Sequence, residues 1–346
     1  MKHEIEKTAL NLIGKQVRKP VRMVSSELVK SELLHDHTLL PLVIKPAIEG
    51  VNLATWAKAN LEAINENLDR HGGILFRGFK VNDQSDFEHF LDAIGLMRMQ
   101  YLEGATPRHE LGNHIYTSTQ FPAEHAIALH NELSYVLTWP MKVAFFCLEP
   151  AEIGGETPIA DVRKVFWNIA PEIRQRFIDA NWMLVRNFGD GFSLPWQKVF
   201  HTNDKMEVER YCRDGGIEWE WKDRMRLRTR QVRPATAIHP RTNETLWFNH
   251  IAFWHCSSLD AKTREMLVSE YGESELPYNT YYGGGTAIED SVIQEIRRAY
   301  DAETVRFAWQ RSDVLLLDNM LVAHGRGPYV GSRKVIVSMG DPFRRT

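Results

Sequence analysis

Apolar residues recur at helical spacing between Leu53 and Leu68, with Leu53, Trp56, Leu61, Ile64 and Leu68 on one side. The pair Gly72-Gly73 ends that pattern, and Ile74-Leu-Phe-Arg-Gly-Phe79 then reads as a short buried strand. A second amphipathic helix is expected from about Ser85 to Ile94, capped by Asp83 or Ser85. The N-terminal ~70 residues thus read as a partly helical extension. From about residue 113 the pattern changes to short strand-like runs at 143–147, 157–160, 183–186, 245–248, 313–317 and 334–338. Helices interrupt them at Pro171–Ala180 (capped from Asn168), Ala261–Tyr271 and Asp290–Tyr300. Many short strands with inserted helices predict a mainly β fold of the α+β class. Its core would be a double-stranded β-helix, a cupin-like jelly roll. No βαβ alternation suggests a parallel sheet. Without a linker, repeat or low-complexity stretch, residues 1–346 read as a single domain.

Composition adds mainly exclusions. The chain is 43% hydrophobic and 25% charged, with net charge −3, so nucleic-acid binding is not expected. Three widely spaced cysteines, Cys147, Cys212 and Cys256, form neither a disulfide framework nor a zinc-knuckle pattern. No apolar run approaches a membrane span, and the charged N-terminus has no signal-peptide core, which predicts a soluble cytoplasmic chain.

The candidate chemistry lies in three places. His130-Asn131-Glu132 is the only His-x-acid triplet in the chain, and on a strand both side chains would point to one face. Alone, such a triplet is more often a surface polar pair. His324 ends the apolar segment that begins at Asp313, where a hydrogen-bonded core histidine is the usual reading. Together, two histidines and a carboxylate can make the facial triad that leaves three positions open on ferrous iron. Arg333, nine residues on, offers a two-pronged guanidinium for a distal carboxylate, and Thr157 offers a hydroxyl after Gly154-Gly155.

Taken in order, Gly-Gly-Ile-Leu-Phe-Arg-Gly-Phe (72–79), Tyr-Thr-Ser-Thr-Gln-Phe-Pro-Ala (116–123), His-Asn-Glu (130–132), Gly-Gly-Glu-Thr-Pro (154–158) and His-Gly-Arg (324–326) with Arg333 resemble the taurine-dioxygenase family. Closer still, His-Asn-Glu-Leu-Ser-Tyr (130–135), Leu-Arg-Thr-Arg-Gln (227–231), Ile-Glu-Asp-Ser-Val (288–292) and Leu-Asp-Asn-Met-Leu-Val-Ala-His-Gly-Arg (317–326) resemble syringomycin-type amino-acid hydroxylases of non-ribosomal peptide pathways. The resemblance implies iron(II) at His130, Glu132 and His324. It implies 2-oxoglutarate at Arg333 with help from Thr157, and dioxygen as the oxidant. Glutamate stands where the taurine enzymes use aspartate. Halogenating relatives replace that carboxylate by a small residue to admit chloride, so Glu132 points to oxygenation and not chlorination.

The implied reaction is hydroxylation of an unactivated C–H bond in an amino acid, free or tethered to a carrier protein, with release of succinate and carbon dioxide. Desaturation, epoxidation or decarboxylation would use the same residues. Two other classes stay open: a non-catalytic cupin-like binding protein and a zinc hydrolase, the latter leaving Arg333 and Thr157 without a joint purpose. Arg224, Arg226, Arg228 and Arg230 alternate, and Arg233 follows. A solvated face balanced by Glu218, Glu220 and Asp223 is the plain reading; Arg228 or Arg230 is the candidate substrate contact. The polar segment Tyr101–Asn113 is a candidate lid. Trp139, Trp247 and Trp254 are expected in the core, with the cavity wall as the alternative.

Overall fold

The computed structural model describes residues 27–100, 103, 108–118, 121–189 and 193–345. The N-terminal segment read for a signal peptide, and most of the stretch from 101 to 107, lie outside them.

An eight-stranded sheet forms the frame. Its order is Val29–His35, Thr38–Pro46, Gly73–Phe76, Val314–Asp318, Thr138–Glu149, Lys334–Arg344, Ile115–Thr117 and Glu110–Gly112. The central strands are apolar without alternation because both of their faces are buried. Val143, Phe145, Leu315, Leu317, Val335 and Val337 enter one core cluster. The intervening Ala144, Phe146, Val314, Leu316 and Ile336 enter another, with Trp56, Ile64, Leu68, Phe87 and Phe90 from the helices. The period of two thus divides one run of residues between two cores.

On the first face lies a four-stranded sheet ordered Thr304–Val305, Ile159–Asp161, Val322–Arg326 and Ile127–His130. Ile159, Ala160, Val322 and Ala323 join the same cluster as Phe145 and Leu317, so the two sheets close as a jelly roll. A third sheet, Ile217–Trp221, Leu227–Arg233, Trp182–Phe188 and Tyr278–Tyr282, stands beside them.

Several local readings need adjustment. The first helical segment is two helices, Leu53–Ala59 and Leu61–His71, because Asn60 leaves helical dihedrals and its amide Nδ2 donates back to Trp56 O. Asp83, not Ser85, caps Gln84–Ala93 by accepting from Asp86 N. Asn168 ends helix Val162–Asn168 and caps nothing; Pro171–Ala180 starts at its proline instead. The N-terminal region is more than a helical extension, since the hairpin of Val29–His35 and Thr38–Pro46 is built into the large sheet beside Gly73–Phe76. Arg77, after that last strand, donates through two nitrogens to buried Asp313 and fixes the start of Val314–Asp318. The three cysteines are free and buried, and no helix among the described residues could cross a membrane.

Candidate active site

His130 closes strand Ile127–His130, and antiparallel pairing sets it directly opposite His324 on Val322–Arg326. Opposed residues share a face of the sheet, and the two imidazole centroids lie 4.6 Å apart. Glu132 does not extend the strand. It sits in the turn that follows, where Ser134 N donates to Asn131 O and Leu133 has φ 56°. The positive φ follows Glu132 and turns the chain away from the strand, and Glu132 Oε2 lies 3.7 Å from His324 Nε2. Ligand atoms of His130, Glu132 and His324 all lie within 4.8 Å of one another.

Asn319 holds that turn. Its side chain accepts from Glu132 N at 2.7 Å and donates to Glu132 O and Pro140 O at 2.9 and 2.8 Å. Asn131 donates in turn to Asn319 O. All of this is buried, so the position of Glu132 is set by groups that have no water to fall back on. His130 Nδ1 lies 2.8 Å from Ala128 O, which makes Nδ1 the protonated nitrogen and leaves the Nε2 lone pair for a cation.

Electrostatics favour ligation. Burial, reinforced by the neighbouring His324, lowers His130 to about 4, so it is neutral at neutral pH. Burial opposes ionisation of Glu132, but Arg108 and the two histidines outweigh it and hold the carboxyl well below the usual range. Two imidazoles and a carboxylate, their ligand atoms within 4.8 Å of one another, fit a divalent transition metal of the ferrous type. His250 adds a third imidazole, 5.6 Å from His130 by centroid, with Nδ1 2.6 Å from Ser134 Oγ. Burial, then His130, keeps it neutral.

Arg333 and Thr157 meet on the same cavity as the two histidines. Arg333 Nε donates to Gly155 O at 2.8 Å, Nη1 to Ser118 Oγ at 3.1 Å, and Nη2 points at Thr157 Oγ1 at 3.5 Å. Trp309 Nε1 donates to the same hydroxyl and orients it. Burial and nearby Arg326 lower Arg333 to about 10, so it stays charged at neutral pH. Gly155 has φ +72°, and a Cβ there would stand 3.0 Å from Arg333 Cδ. The glycine is needed both for the turn and for the guanidinium's path.

The arginine run lies elsewhere. Arg228 donates to Asn187 Oδ1, Ser274 O and Glu275 in the third sheet, and Arg230 faces Glu220 at 3.7 Å. Neither lines the cavity of the histidines. Arg226 pairs with Asp223, as the plain reading expected. Trp139 and Trp247 are core residues, while Trp254 packs on Tyr135 and His250 near the site. A second group, Asp69, His239 and Asp318, already has a cation in Arg241, which lies 2.5 Å from Asp69 Oδ1 and 3.5 Å from Asp318 Oδ2. Asp318 also caps Met320 N and Leu321 N, bracing the turn that delivers His324. Sequence reasoning missed Asn319, His250 and Arg108. The first stood inside a quoted motif, its one signal being an amide between two apolar runs.

A family model described as "Taurine catabolism dioxygenase TauD, TfdA family" matches residues 37–339. The dapdiamide synthesis protein DdaC of Enterobacter agglomerans is 37% identical over 314 residues, 89% of this chain and 95% of that protein. A clavaminate synthase-like protein of Arabidopsis thaliana is 29% identical over 304 residues, 85% and 89% of the two chains. Among solved structures, PvcB from Pseudomonas aeruginosa superposes with TM-score 0.53 at 13% identity over 92% of this chain and 93% of its own. A second PvcB structure, described as an Fe, alpha-ketoglutarate dependent oxygenase from an isonitrile synthetic pathway, gives 0.55 at 13% identity over 93% and 96%.

Proposed function

The chain belongs to the TauD/TfdA family of iron(II)- and 2-oxoglutarate-dependent dioxygenases, and from that premise we propose that it oxidises a C–H bond of an amino-acid substrate, free or carrier-bound, in the synthesis of a secondary metabolite. One observation carries the reading. His130 and His324 line one cavity with Arg333 and Thr157, far apart in sequence, and the carboxylate of Glu132 lies beside the two histidines. A binding protein would not need both the candidate ligands and the Arg333–Thr157 pair, and a zinc hydrolase has no use for the pair. The biosynthetic setting is supported by DdaC, named for dapdiamide synthesis, and by PvcB of an isonitrile pathway.

His130, Glu132 and His324 would hold the iron, and Arg333 with Thr157 would hold the distal carboxylate of 2-oxoglutarate. Bound together, iron and 2-oxoglutarate activate dioxygen, with succinate and carbon dioxide as by-products. The chain's own contribution is placement. Ala128 O fixes the ring of His130, Asn319 fixes Glu132, and Phe145 packs edge-on at 5.0 Å against His324. The test is turnover by iron-loaded protein with 2-oxoglutarate, in air, across the proteinogenic amino acids and their thioesters. The reading expects succinate release coupled to a product that gains one oxygen atom. Turnover that never depends on any amino acid or thioester would remove the substrate assignment, and chlorinated product would remove the role given to Glu132.

A further inference from the structure

The third sheet turns one face toward the turn that carries Glu132, and that face holds buried arginines. Strand alternation sends Arg228 and Arg230 outward and Thr229 and Arg233 inward. Opposite Thr229, on Trp182–Phe188, stands Arg186, 6% exposed. Arg233 shows how this face satisfies a structural arginine: its guanidinium donates to Tyr135 O, Val232 O, Gly215 O and Gln231 Oε1. Arg186 is not held in that way. Among the described residues its hydrogen bonding is one contact, Nη1 to Glu103 O at 3.4 Å. Its charge lies over the rings of Phe188 and Trp254 at 4.7 and 5.0 Å. Rings attract the charge, but they leave most of the N–H donors to water or to a ligand. Glu103 is a poor counter-ion, because burial raises its pKa against the pull of Tyr211, which bonds its carboxyl, and of Arg186 and Arg233. A buried guanidinium in this setting is completed by an anion.

The surroundings of Arg186 lead to the candidate metal ligands. Trp254 ends helix Ile251–Trp254, and His250 and Phe253 of the same segment pack on the ring of His130 at 5.6 and 4.8 Å. Tyr135 packs on His250 and Trp254, and its hydroxyl donates to the same Glu103 carbonyl that Arg186 reaches. One aromatic wall thus runs from His130 to the guanidinium. His130 and Phe253 are partly exposed, so the wall is open at the metal end. None of His250, Phe253, Trp254, Tyr135 and Arg186 lines the cavity of Arg333 and Thr157. The co-substrate is assigned to that cavity, and the molecule to be oxidised has to reach the metal beside it. The wall offers that molecule apolar surface next to His130 and a cation at the far end.

We propose that Arg186 is the substrate anchor, pairing with a carboxylate of the molecule to be oxidised while the rest of that molecule lies along the wall toward His130. The proposal rests on the dioxygenase reading above and narrows its substrate class to carboxylates. The carboxylate is either the α-group of a free amino acid or the side-chain group of an acidic one, and only the second survives tethering as a thioester.

The experiment is calorimetric titration of protein loaded with Co(II) and 2-oxoglutarate. The probes are the L-amino acids and their α-amides, with the side-chain amides of aspartic and glutamic acid (asparagine and glutamine) among them. Wild type is expected to bind at least one acid about tenfold or more tightly than the matching amide, the effect of one charge-assisted hydrogen bond. A gap against the α-amide assigns the α-group, and a gap against the side-chain amide assigns the side-chain carboxylate. Arg186→Gln should shrink the gap to about threefold or less, with binding of the amide, of Co(II) and of 2-oxoglutarate unchanged. Arg186→Lys keeps the charge and covers the case in which the glutamine variant does not fold: it should keep part of the gap. No preference for any acid in wild type, or a gap unchanged in Arg186→Gln or Arg186→Lys, overturns the proposal. So does an equal loss of acid and amide, which is what a purely structural arginine would give. Failure of Co(II)-loaded wild type to bind 2-oxoglutarate is a different result: it brings down the dioxygenase reading and this proposal with it.

Discussion

Replacing Asn319 by alanine tests whether the turn carrying Glu132 is held from outside the ligand set. The substitution removes three buried hydrogen bonds, to Glu132 N, Glu132 O and Pro140 O. At about 1 kcal/mol each the net loss is about 3 kcal/mol, rising toward about 5 kcal/mol because the stranded backbone groups stay buried. A chain of 346 residues has an unfolding entropy of about 0.7 kcal/mol per kelvin near its midpoint, so Tm should fall by about 4–7 °C. Metal affinity should drop by about 10–100-fold, as expected for a group that orients a ligand. Calorimetric unfolding of chelator-treated protein reads the first effect, and titration with Co(II) reads the second. Asn319→Asp sharpens the test: it keeps the acceptor for Glu132 N but sets a carboxylate against two carbonyl oxygens, and should be at least as destabilised as alanine. An Asn319→Ala variant that melts within about 1 °C of wild type and binds Co(II) equally well would refute the reasoning.

Three further outcomes follow from the geometry. Gly155→Ala should raise the 2-oxoglutarate requirement severalfold while leaving Co(II) affinity intact, because the new Cβ meets Arg333 Cδ at 3.0 Å; parallel titrations with both ligands read it, and an equal loss of both would contradict it. Arg228→Ala should cost about 1–3 kcal/mol in urea unfolding through its bonds to Glu275 and Asn187, with 2-oxoglutarate affinity unchanged, whereas Arg230→Ala should be neutral. The folded protein should weaken on acidification from about pH 6.5 toward about pH 4: burial lowers His255 from 6.5 to about 4, so the unfolded chain takes up the proton first and stability present above that window is lost within it. Thermal unfolding at pH 7 and pH 5 reads that slope, and His255→Gln should reduce it, leaving the part that buried His130 and His250 supply.

How much of this was legible in the sequence depends on range. The candidate ligand trio and Arg333 were readable as candidates because each stands in a short motif, and the order of motifs is itself informative. The strand positions were readable because Val143–Cys147 and Val314–Leu317 are apolar on both faces. The hairpin of Val29–His35 and Thr38–Pro46 was not, because its outer strand alternates weakly and gains its place only by pairing with the neighbouring strand. The turn at Glu132 was misread for a similar reason. His-Asn-Glu has strand spacing, but the chain leaves the strand after His130 into a turn where Leu133 has a positive φ and Glu132 is bonded to Asn319, nearly two hundred residues away. The arginine run misleads in the other direction: its alternation is real on Leu227–Arg233, yet Glu220 and Glu275 account for Arg228 and Arg230. Arg108 stood inside the candidate lid Tyr101–Asn113, but nothing local marked it out there, since only the fold brings it to Glu132.

The most direct measurement of the central claim is the visible spectrum of anaerobic ferrous protein on addition of 2-oxoglutarate, with His324→Ala and Arg333→Ala beside it. The account predicts a weak absorption in wild type, lost in His324→Ala and recovered in Arg333→Ala only at higher 2-oxoglutarate. No absorption from folded, iron-loaded wild type, or an absorption indifferent to both substitutions, would contradict it.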